Sequence, residues 1–199
     1  MQKVVGFVVG IVVLLPLASF AQESRSEVSL QGTGLFTSST NGNGTSYSAT
    51  ESGGVLGTYR YHLKHRISVE AAYGYTVNSQ KYSFDAFRIQ SGVHQLTGSL
   101  VLNLPSRPSS RISPYVIVGA GALMFDPTGS QFNLPGAQLQ TKGVFVYGVG
   151  ADYAMSKHIS LRAEYRGLLY TTPDFGLGGL ATNNLTHTAM PSIGVAFRF

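Results

Sequence analysis

The chain of 199 residues contains no cysteine and no tryptophan, and only 12% of its residues are charged. Without disulfides, an exported protein must be stabilised by other interactions. After the first 21 residues no apolar run reaches the length of a spanning helix, because the longest, residues 115–125, has about half the required length. If the mature protein crosses a membrane, the sequence predicts that it does so with strands.

Positive charge is not concentrated anywhere in the chain. The formal net charge is +5, but lysine and arginine are spread along the sequence without a block of like charge. Nucleic-acid binding depends on clustered basic residues. We therefore expect no nucleic-acid partner.

The first 21 residues have the features of a secretory signal peptide. A short cationic start, Met1 to Lys3, precedes an apolar run over residues 4–17, and Ser19 and Ala21 supply the small residues before a cleavage site. The alternative, a membrane anchor, is disfavoured because the apolar run is too short to span a bilayer. We predict residues 1–21 as the signal peptide and residues 22–199 as one mature domain.

In the mature chain, apolar residues alternate with small or polar residues, as they do in half-buried strands. Eight such segments lie at about residues 27–37, 49–61, 66–77, 91–103, 113–125, 143–155, 159–170 and 185–199. The connections between them are alternately long and short. Outer-membrane barrels sort their loops in this way, with long loops outside the cell and short turns in the periplasm. The pattern predicts an all-β fold, an eight-stranded antiparallel up-and-down transmembrane barrel.

The facing of each strand follows from its apolar positions, with one ambiguous case. In the third segment, every odd-numbered residue from Ile67 to Val77 is apolar and is predicted to face lipid. In the fifth segment both sets of alternate residues are apolar. We choose as its outward set Tyr115, Ile117, Gly119, Gly121, Leu123 and Phe125.

The last segment ends on an aromatic residue at the final carboxylate. Its alternate positions Ile193, Val195, Phe197 and Phe199 are apolar, whereas the termini of soluble proteins usually fray in water. With the signal peptide and the sorted loops, this terminus gives a chain that resembles the small eight-stranded outer-membrane barrels of the OmpA/OmpX type over essentially its whole length. OmpA-like proteins carry a peptidoglycan-binding domain after the barrel; this chain stops at the barrel, so we do not expect that tether here.

The resemblance implies a location in the outer membrane of a Gram-negative-type bacterium. It implies outer-membrane lipid and lipopolysaccharide as surroundings. It also implies that the four terminal alternate residues are the signal that the barrel-assembly machinery reads. We expect the barrel to be a monomer and to need no cofactor.

Charged residues occupy inward positions of several strands. An eight-stranded barrel has an interior just wide enough for side chains to fill. The predicted inward charges are Arg60, Glu70, Asp152, Arg162, Glu164, Arg166 and Arg198. Because an unpaired buried charge is costly, we predict an internal ion network that closes the lumen. The alternative is a gated path for protons or small solutes.

Two histidine arrangements are candidates for chemistry, and both are weak. His158 and Ser160, with Glu164 nearby, are similar to the His-x-Ser arrangement of lipid A deacylases. They lie at a predicted periplasmic turn, whereas the acyl chains of lipid A lie in the outer leaflet. His62 and His65 have a metal-like spacing, but cations flank them and disfavour a divalent ion. We therefore expect no enzymatic activity and no metal site.

The second long loop carries residue types that are enriched at binding hot spots, namely Tyr82, Phe84, Phe87 and Arg88. We predict that these residues are candidate contacts for an extracellular ligand. The sequence thus favours an outer-membrane barrel of structural or surface-interaction type, with long external loops and a lumen filled by side chains. The alternatives are a narrow channel or carrier for small solutes and, third, a hydrolase that modifies lipid A.

Overall fold

The computed structural model describes residues 25–38, 40–42, 45–49, 52–82, 87–106, 110–127, 139–171 and 185–199. The predicted signal peptide lies outside these residues, as does Phe84. Within these ranges, no helix is long and apolar enough to span a membrane.

The described part of the chain forms ten strands. They are β1 (Ser26–Thr37), β2 (Thr40–Gly42), β3 (Thr45–Ala49), β4 (Ser52–Lys64), β5 (Ile67–Tyr82), β6 (Phe87–Asn103), β7 (Ile112–Pro127), β8 (Gln140–Ala154), β9 (Ile159–Thr171) and β10 (Leu185–Arg198).

The eight long strands form a closed antiparallel barrel. Each long strand pairs with the next long strand in the sequence, and β1 pairs with β10 from Glu27↔Arg198 to Thr37↔Thr188. Closure leaves the barrel without an edge strand whose backbone groups lack partners. The predicted eight-stranded up-and-down barrel is therefore confirmed.

The two ends of the barrel differ in their connections. Short connections join β4 to β5, β6 to β7 and β8 to β9, and we call this the short-turn end. The connections from β1 to β4, β5 to β6, β7 to β8 and β9 to β10 lie at the opposite, long-loop end. Adjacent barrel strands run in opposite directions between these two ends. The predicted sorting by length does not hold throughout, because the connection from β5 to β6, residues 83–86, is shorter than that from β6 to β7, residues 104–111.

The alternation of exposed and buried side chains confirms the predicted facing of seven barrel strands. In β1, for example, Leu30 is 68% exposed on the outer surface while its neighbour Gln31 is 1% exposed in the lumen. In β5, Val69 is exposed and Glu70 is buried. The exposed outer surface is therefore apolar, and the residues that alternate with these exposed positions face the lumen.

The facing chosen for β7 is wrong. Tyr115, Ile117, Leu123 and Phe125 are at most 3% exposed and face the lumen, whereas Val118 is 43% exposed on the outside. Gly119 and Gly121 belong to the same inward set. The choice failed because the lumen beside this strand is largely apolar, so both faces of the strand carry apolar residues.

At the long-loop end the strands extend further than predicted. The pairing of β5 with β6 continues to Tyr82↔Phe87, which leaves only residues 83–86 between the two strands. In the first predicted loop, β2 and β3 form a hairpin, and β3 joins the sheet through Tyr47↔Tyr82. The pairings of β2, β3, β5 and β6 thus form a small sheet at this end, which we call the loop sheet.

Candidate functional site

The lumen is divided into two halves of different chemistry. Toward the short-turn end lies the charged half, formed by Glu27, Arg60, Glu70, Asp152, Arg162, Glu164 and Arg166, with Arg198 at its mouth. Toward the long-loop end lies the apolar half, formed by Leu35, Leu56, Ala72, Val93, Leu123, Phe125, Val144, Val146, Leu168, Tyr170 and Met190. Apart from Arg198, the side chains of both halves are buried.

Two arginine–carboxylate pairs of the charged half are neighbours across adjacent strands. Arg60 lies opposite Glu70, and its Nε and Nη2 atoms are 3.0 and 2.8 Å from Glu70 Oε2. Arg162 lies opposite Asp152, with Nε 2.7 Å from Oδ1 and Nη2 2.8 Å from Oδ2. Register alone therefore brings these opposite charges together, and the second pair has the bidentate geometry that strengthens such contacts.

Further ion pairs cross the lumen between strands that are not neighbours. Arg166 on β9 donates from Nη2 to Glu70 Oε1 on β5 at 2.6 Å. Its Nε donates to Glu164 on its own strand. Arg60 on β4 donates from Nη1 to Asp152 Oδ2 on β8 at 3.5 Å. Glu70 thus accepts from two guanidinium groups on opposite walls. These pairs link the walls of the barrel through its centre.

Glu27 is a member of the network that is absent from the predicted set. Its side chain is buried on β1, where it accepts hydrogen bonds from Arg162 and, at 3.0 Å, from Nη2 of Arg198. Arg60 Nη1 lies 3.8 Å away. With Glu27, four carboxylates face four guanidinium groups among the described residues, so the network is formally neutral. The sequence feature that could have identified Glu27 is the polar face of the first strand. Glu27 lies on that face together with Ser29, whereas Val28 lies on the apolar face.

Tyr115 also belongs to the network and was assigned to the wrong face. Its hydroxyl donates to Glu164 Oε2 at 2.8 Å, and its ring centroid lies 4.4 Å from the guanidinium carbon of Arg60 and 5.6 Å from that of Arg162. A cation over an aromatic face is attracted most strongly when both are removed from water. A Cβ at Gly150 would collide with this ring, so glycine on β8 leaves the space that the ring fills.

The network leaves some polar atoms unpaired. The Nη1 atoms of Arg162 and Arg166 are buried without a hydrogen-bond partner among the described residues, as are the hydroxyls of Thr97 and Ser99. Each such group lowers stability relative to a paired one. The network thus provides rigid ion pairs across the lumen, but it does not give every donor a hydrogen-bond partner.

The apolar half is filled almost completely. A cavity of about 20 Å³ lies in this half, lined among others by Leu35, Val93, Phe125, Leu168 and Met190. A volume of that size is close to the minimum that holds one water molecule. This cavity is too small to hold a solute much larger than water.

The other predicted site residues lie outside the lumen. Ile193, Val195 and Phe197 are exposed on the outer surface, and the rings of Phe197 and Phe199 stack with centroids 6.1 Å apart. Arg88 pairs in register with Lys81 in the loop sheet. The aromatic rung next to it joins Tyr47, Tyr82 and Phe87 across β3, β5 and β6.

The residues of the two histidine arrangements make other contacts in the structure. His158 stacks on Phe197 with ring centroids 6.2 Å apart, whereas Glu164 is buried against Arg166 and Tyr115. His62 Nδ1 and Ser68 Oγ form a hydrogen bond of 2.8 Å. The part of the chain that the structure describes holds no group of three or more residues suited to a metal ion.

A family model described as an outer membrane protein beta-barrel domain matches residues 7–199. No curated protein matches the sequence.

Three similar solved structures are small outer-membrane proteins. Neisserial surface protein A matches with a TM-score of 0.63 and 17% identity over 88% of this chain and 98% of that chain. The outer membrane protein OprG from Pseudomonas aeruginosa matches with a TM-score of 0.59 and 16% identity over 90% and 98%. Ail, the attachment invasion locus protein of Yersinia pestis, matches with a TM-score of 0.52 and 16% identity over 89% and 100%. At these identities the likeness supports the fold alone.

Proposed function

This chain belongs to the outer membrane protein β-barrel domain family, and from that premise we propose that it is a surface-interaction barrel with a closed lumen. It lies in the outer membrane of a Gram-negative-type bacterium. Its long-loop end contacts ligands outside the cell, while its strands form a stable, non-conducting support. Lipopolysaccharide and outer-membrane lipid surround it, and the barrel-assembly machinery inserts it.

The observation that carries this proposal is the filled lumen. Arg162 and Arg166 are fully buried among carboxylates in the charged half. The apolar half retains a cavity of only about 20 Å³. A solute would have to break several ion pairs in a region of low dielectric constant, where unpaired charges are costly. A barrel that only supports its external loops needs no path for solutes through the lumen.

The loop sheet supports a role in contact at the surface. One rung of the backbone pairing joins Tyr47, Tyr82 and Phe87, and Lys81↔Arg88 is the next rung. Tyrosine and arginine are frequent at binding hot spots. The Yersinia pestis protein that shares this fold is named for attachment and invasion, a role of the class proposed here.

The closed lumen is tested by single-channel recording of the purified protein in planar bilayers. We expect no discrete conductance steps for the wild-type barrel. Glu70→Gln serves as the matched variant, because it leaves two guanidinium groups without a shared carboxylate and should produce a small leak. Discrete steps in the wild type would contradict the proposal and favour a channel.

The surface role is tested with whole cells. Cells that display the protein should adhere to host-cell or matrix-coated surfaces, and Tyr82→Ala together with Arg88→Ala should reduce this adhesion. Val77→Ala, on the outer barrel surface, is the matched control and should leave adhesion unchanged. Equal adhesion by all three strains and by cells without the protein would remove the surface role.

A carrier for small apolar molecules is the second candidate. The apolar half with its residual cavity is the observation that favours it. Transfer of an apolar dye from the medium into vesicles that contain the protein would support a carrier. A rate equal to that of protein-free vesicles supports the closed barrel.

A further inference from the structure

The connections at the two ends of the barrel carry opposite charges. In the sequence, the three short connections, residues 62–66, 104–111 and 155–158, contain lysine and arginine but no aspartate or glutamate. The four long-loop connections, residues 38–51, 83–86, 126–139 and 172–184, each contain one acidic residue and no lysine or arginine. Lys81, Arg88 and Lys142 lie within strands near the long-loop end, so the difference in sign concerns these segments and not every charge at that end.

At the short-turn end, the structure describes four of these cations as exposed: Lys64, Arg66, Arg111 and Lys157. None of the four forms an ion pair with a residue in the described ranges. The acidic side chains nearest this end, Glu27 and Asp152, are already buried in the ion network of the lumen. Within the described ranges, these four exposed cations therefore have no carboxylate at ion-pair distance.

The four cations stand beside the apolar outer surface. Leu63 precedes Lys64, Ile112 follows Arg111, and Met155 lies two residues before Lys157; all three apolar side chains are about half exposed or more. In the membrane such side chains contact lipid, and a neighbouring lysine or arginine extends its charged group to the interface. The cations thus lie at the level of the lipid headgroups.

We propose that Lys64, Arg66, Arg111 and Lys157 form a cationic collar that binds the phosphate groups of anionic phospholipids. Short turns of outer-membrane barrels face the periplasm, so the collar binds lipid of the periplasmic leaflet. Position favours lipid over the cell-wall polymer, because the collar adjoins the lipid-facing surface rather than projecting from it. The collar would enrich anionic lipid around the barrel and fix the depth of the barrel in the membrane.

The absence of tryptophan from the chain makes a local test possible. Leu104→Trp places one reporter in the exposed connection between β6 and β7 at the short-turn end, and Leu185→Trp places one at the exposed start of β10 at the long-loop end. Quenching by brominated phosphatidylglycerol or brominated phosphatidylcholine in vesicles then gives the lipid preference at each end separately.

At Leu104→Trp we expect phosphatidylglycerol to be preferred by at least about fivefold, since one basic residue near an anionic surface contributes about that factor. Replacing all four cations by glutamine should reduce the preference to about twofold or less, and about 1 M salt should do the same to the unsubstituted collar. At Leu185→Trp neither change should matter. The salt titration decides the question even if the fourfold variant does not fold.

Equal quenching by the two lipids at Leu104→Trp would overturn the proposal. So would a preference that survives both the four substitutions and high salt. Sedimentation with isolated cell-wall sacculi separates the alternative partner. Binding to sacculi that is lost in the fourfold variant, with an unchanged lipid preference, would assign the collar to the cell wall and overturn lipid binding.

Discussion

The two halves of the lumen fill the same barrel in different ways. In the charged half, long side chains such as Arg166 cross the lumen and end on carboxylates of the opposite wall. In the apolar half, side chains such as Leu168 and Phe125 meet in the middle without polar contacts of that kind. The first arrangement depends on the pairing of charges, whereas the second depends on volume and on removal of apolar surface from water.

This difference shows when the alternation of polar and apolar residues in a membrane strand indicates which side chains face the lumen. Where the lumen is charged, as at Arg162 and Glu164, polar and apolar residues alternate strictly and the facing is clear. Where the lumen is apolar, as at Leu123 and Phe125, lipid and lumen select the same residue types. On β7, where both alternate sets are apolar, the hydrophobic pattern therefore does not indicate the facing.

The largest effect should follow loss of a shared carboxylate in the charged half. Glu70→Gln leaves the buried guanidinium groups of Arg60 and Arg166 without their common partner. We expect a loss of about 3–5 kcal/mol in the free energy of unfolding, because one charge of a buried pair is left uncompensated. Urea unfolding in lipid vesicles measures it.

A double-mutant cycle sharpens this prediction. Glu70→Gln combined with Arg166→Gln should cost less than the sum of the two single losses, because the two groups interact directly. If the losses add, the ion pair across the lumen does not stabilise the barrel in the way described.

A smaller loss is expected from a truncation in the apolar half. Leu168→Ala removes a side chain that is 1% exposed and should cost about 2–4 kcal/mol through lost burial and an enlarged cavity. The loss should not depend on salt. Leu96→Ala, on the outer surface of β6, is the control and should cost less because lipid fills the space. A loss at Leu168 that changes with salt would erase the distinction between the halves.

Removal of one hydroxyl from the charged half should have a moderate effect. Tyr115→Phe keeps the ring under Arg60 but removes the hydrogen bond to Glu164. We expect about 1–2 kcal/mol, as for a hydrogen bond to a charged group. Unfolding midpoints in urea provide the measurement, and an unchanged midpoint would show that the ring alone matters.

The smallest effect is expected at the mouth of the charged half. Arg198 is 43% exposed in its side chain, and it pairs with Glu27, which also contacts Arg162. Water screens an exposed ion pair, so Arg198→Gln should cost about 1 kcal/mol or less. A loss as large as that of Glu70→Gln would place Arg198 inside the sealed region rather than at its edge.

Much of the fold could be predicted from the sequence, because lipid and water impose opposite requirements on alternate residues. That contrast gave the eight strands and the inward positions of Arg60, Glu70 and Arg162. The missing parts have a common physical cause. The facing of β7, with Tyr115, could not be assigned, because both of its alternate sets are apolar and such residues fit either side of the wall.

Glu27 could have been predicted, since its polar face alternates with Val28 and Leu30. Its partners could not, because they depend on which strands meet when the sheet closes. The extension of β5 and β6 was also beyond the sequence. Residues 78–82 and 87–91 contain too few alternating apolar positions to indicate a strand.

The contacts of Glu27 also have a consequence for the rate and order of assembly. Its hydrogen bonds to Arg162 and Arg198 join positions separated by 135 and 171 residues along the chain. Contacts this distant in sequence form slowly, because the intervening chain must first be brought together. Until β1 meets β10, the arginines lack one of their carboxylates and must retain water. We therefore expect the interior to lose its water when the ring closes, late in folding.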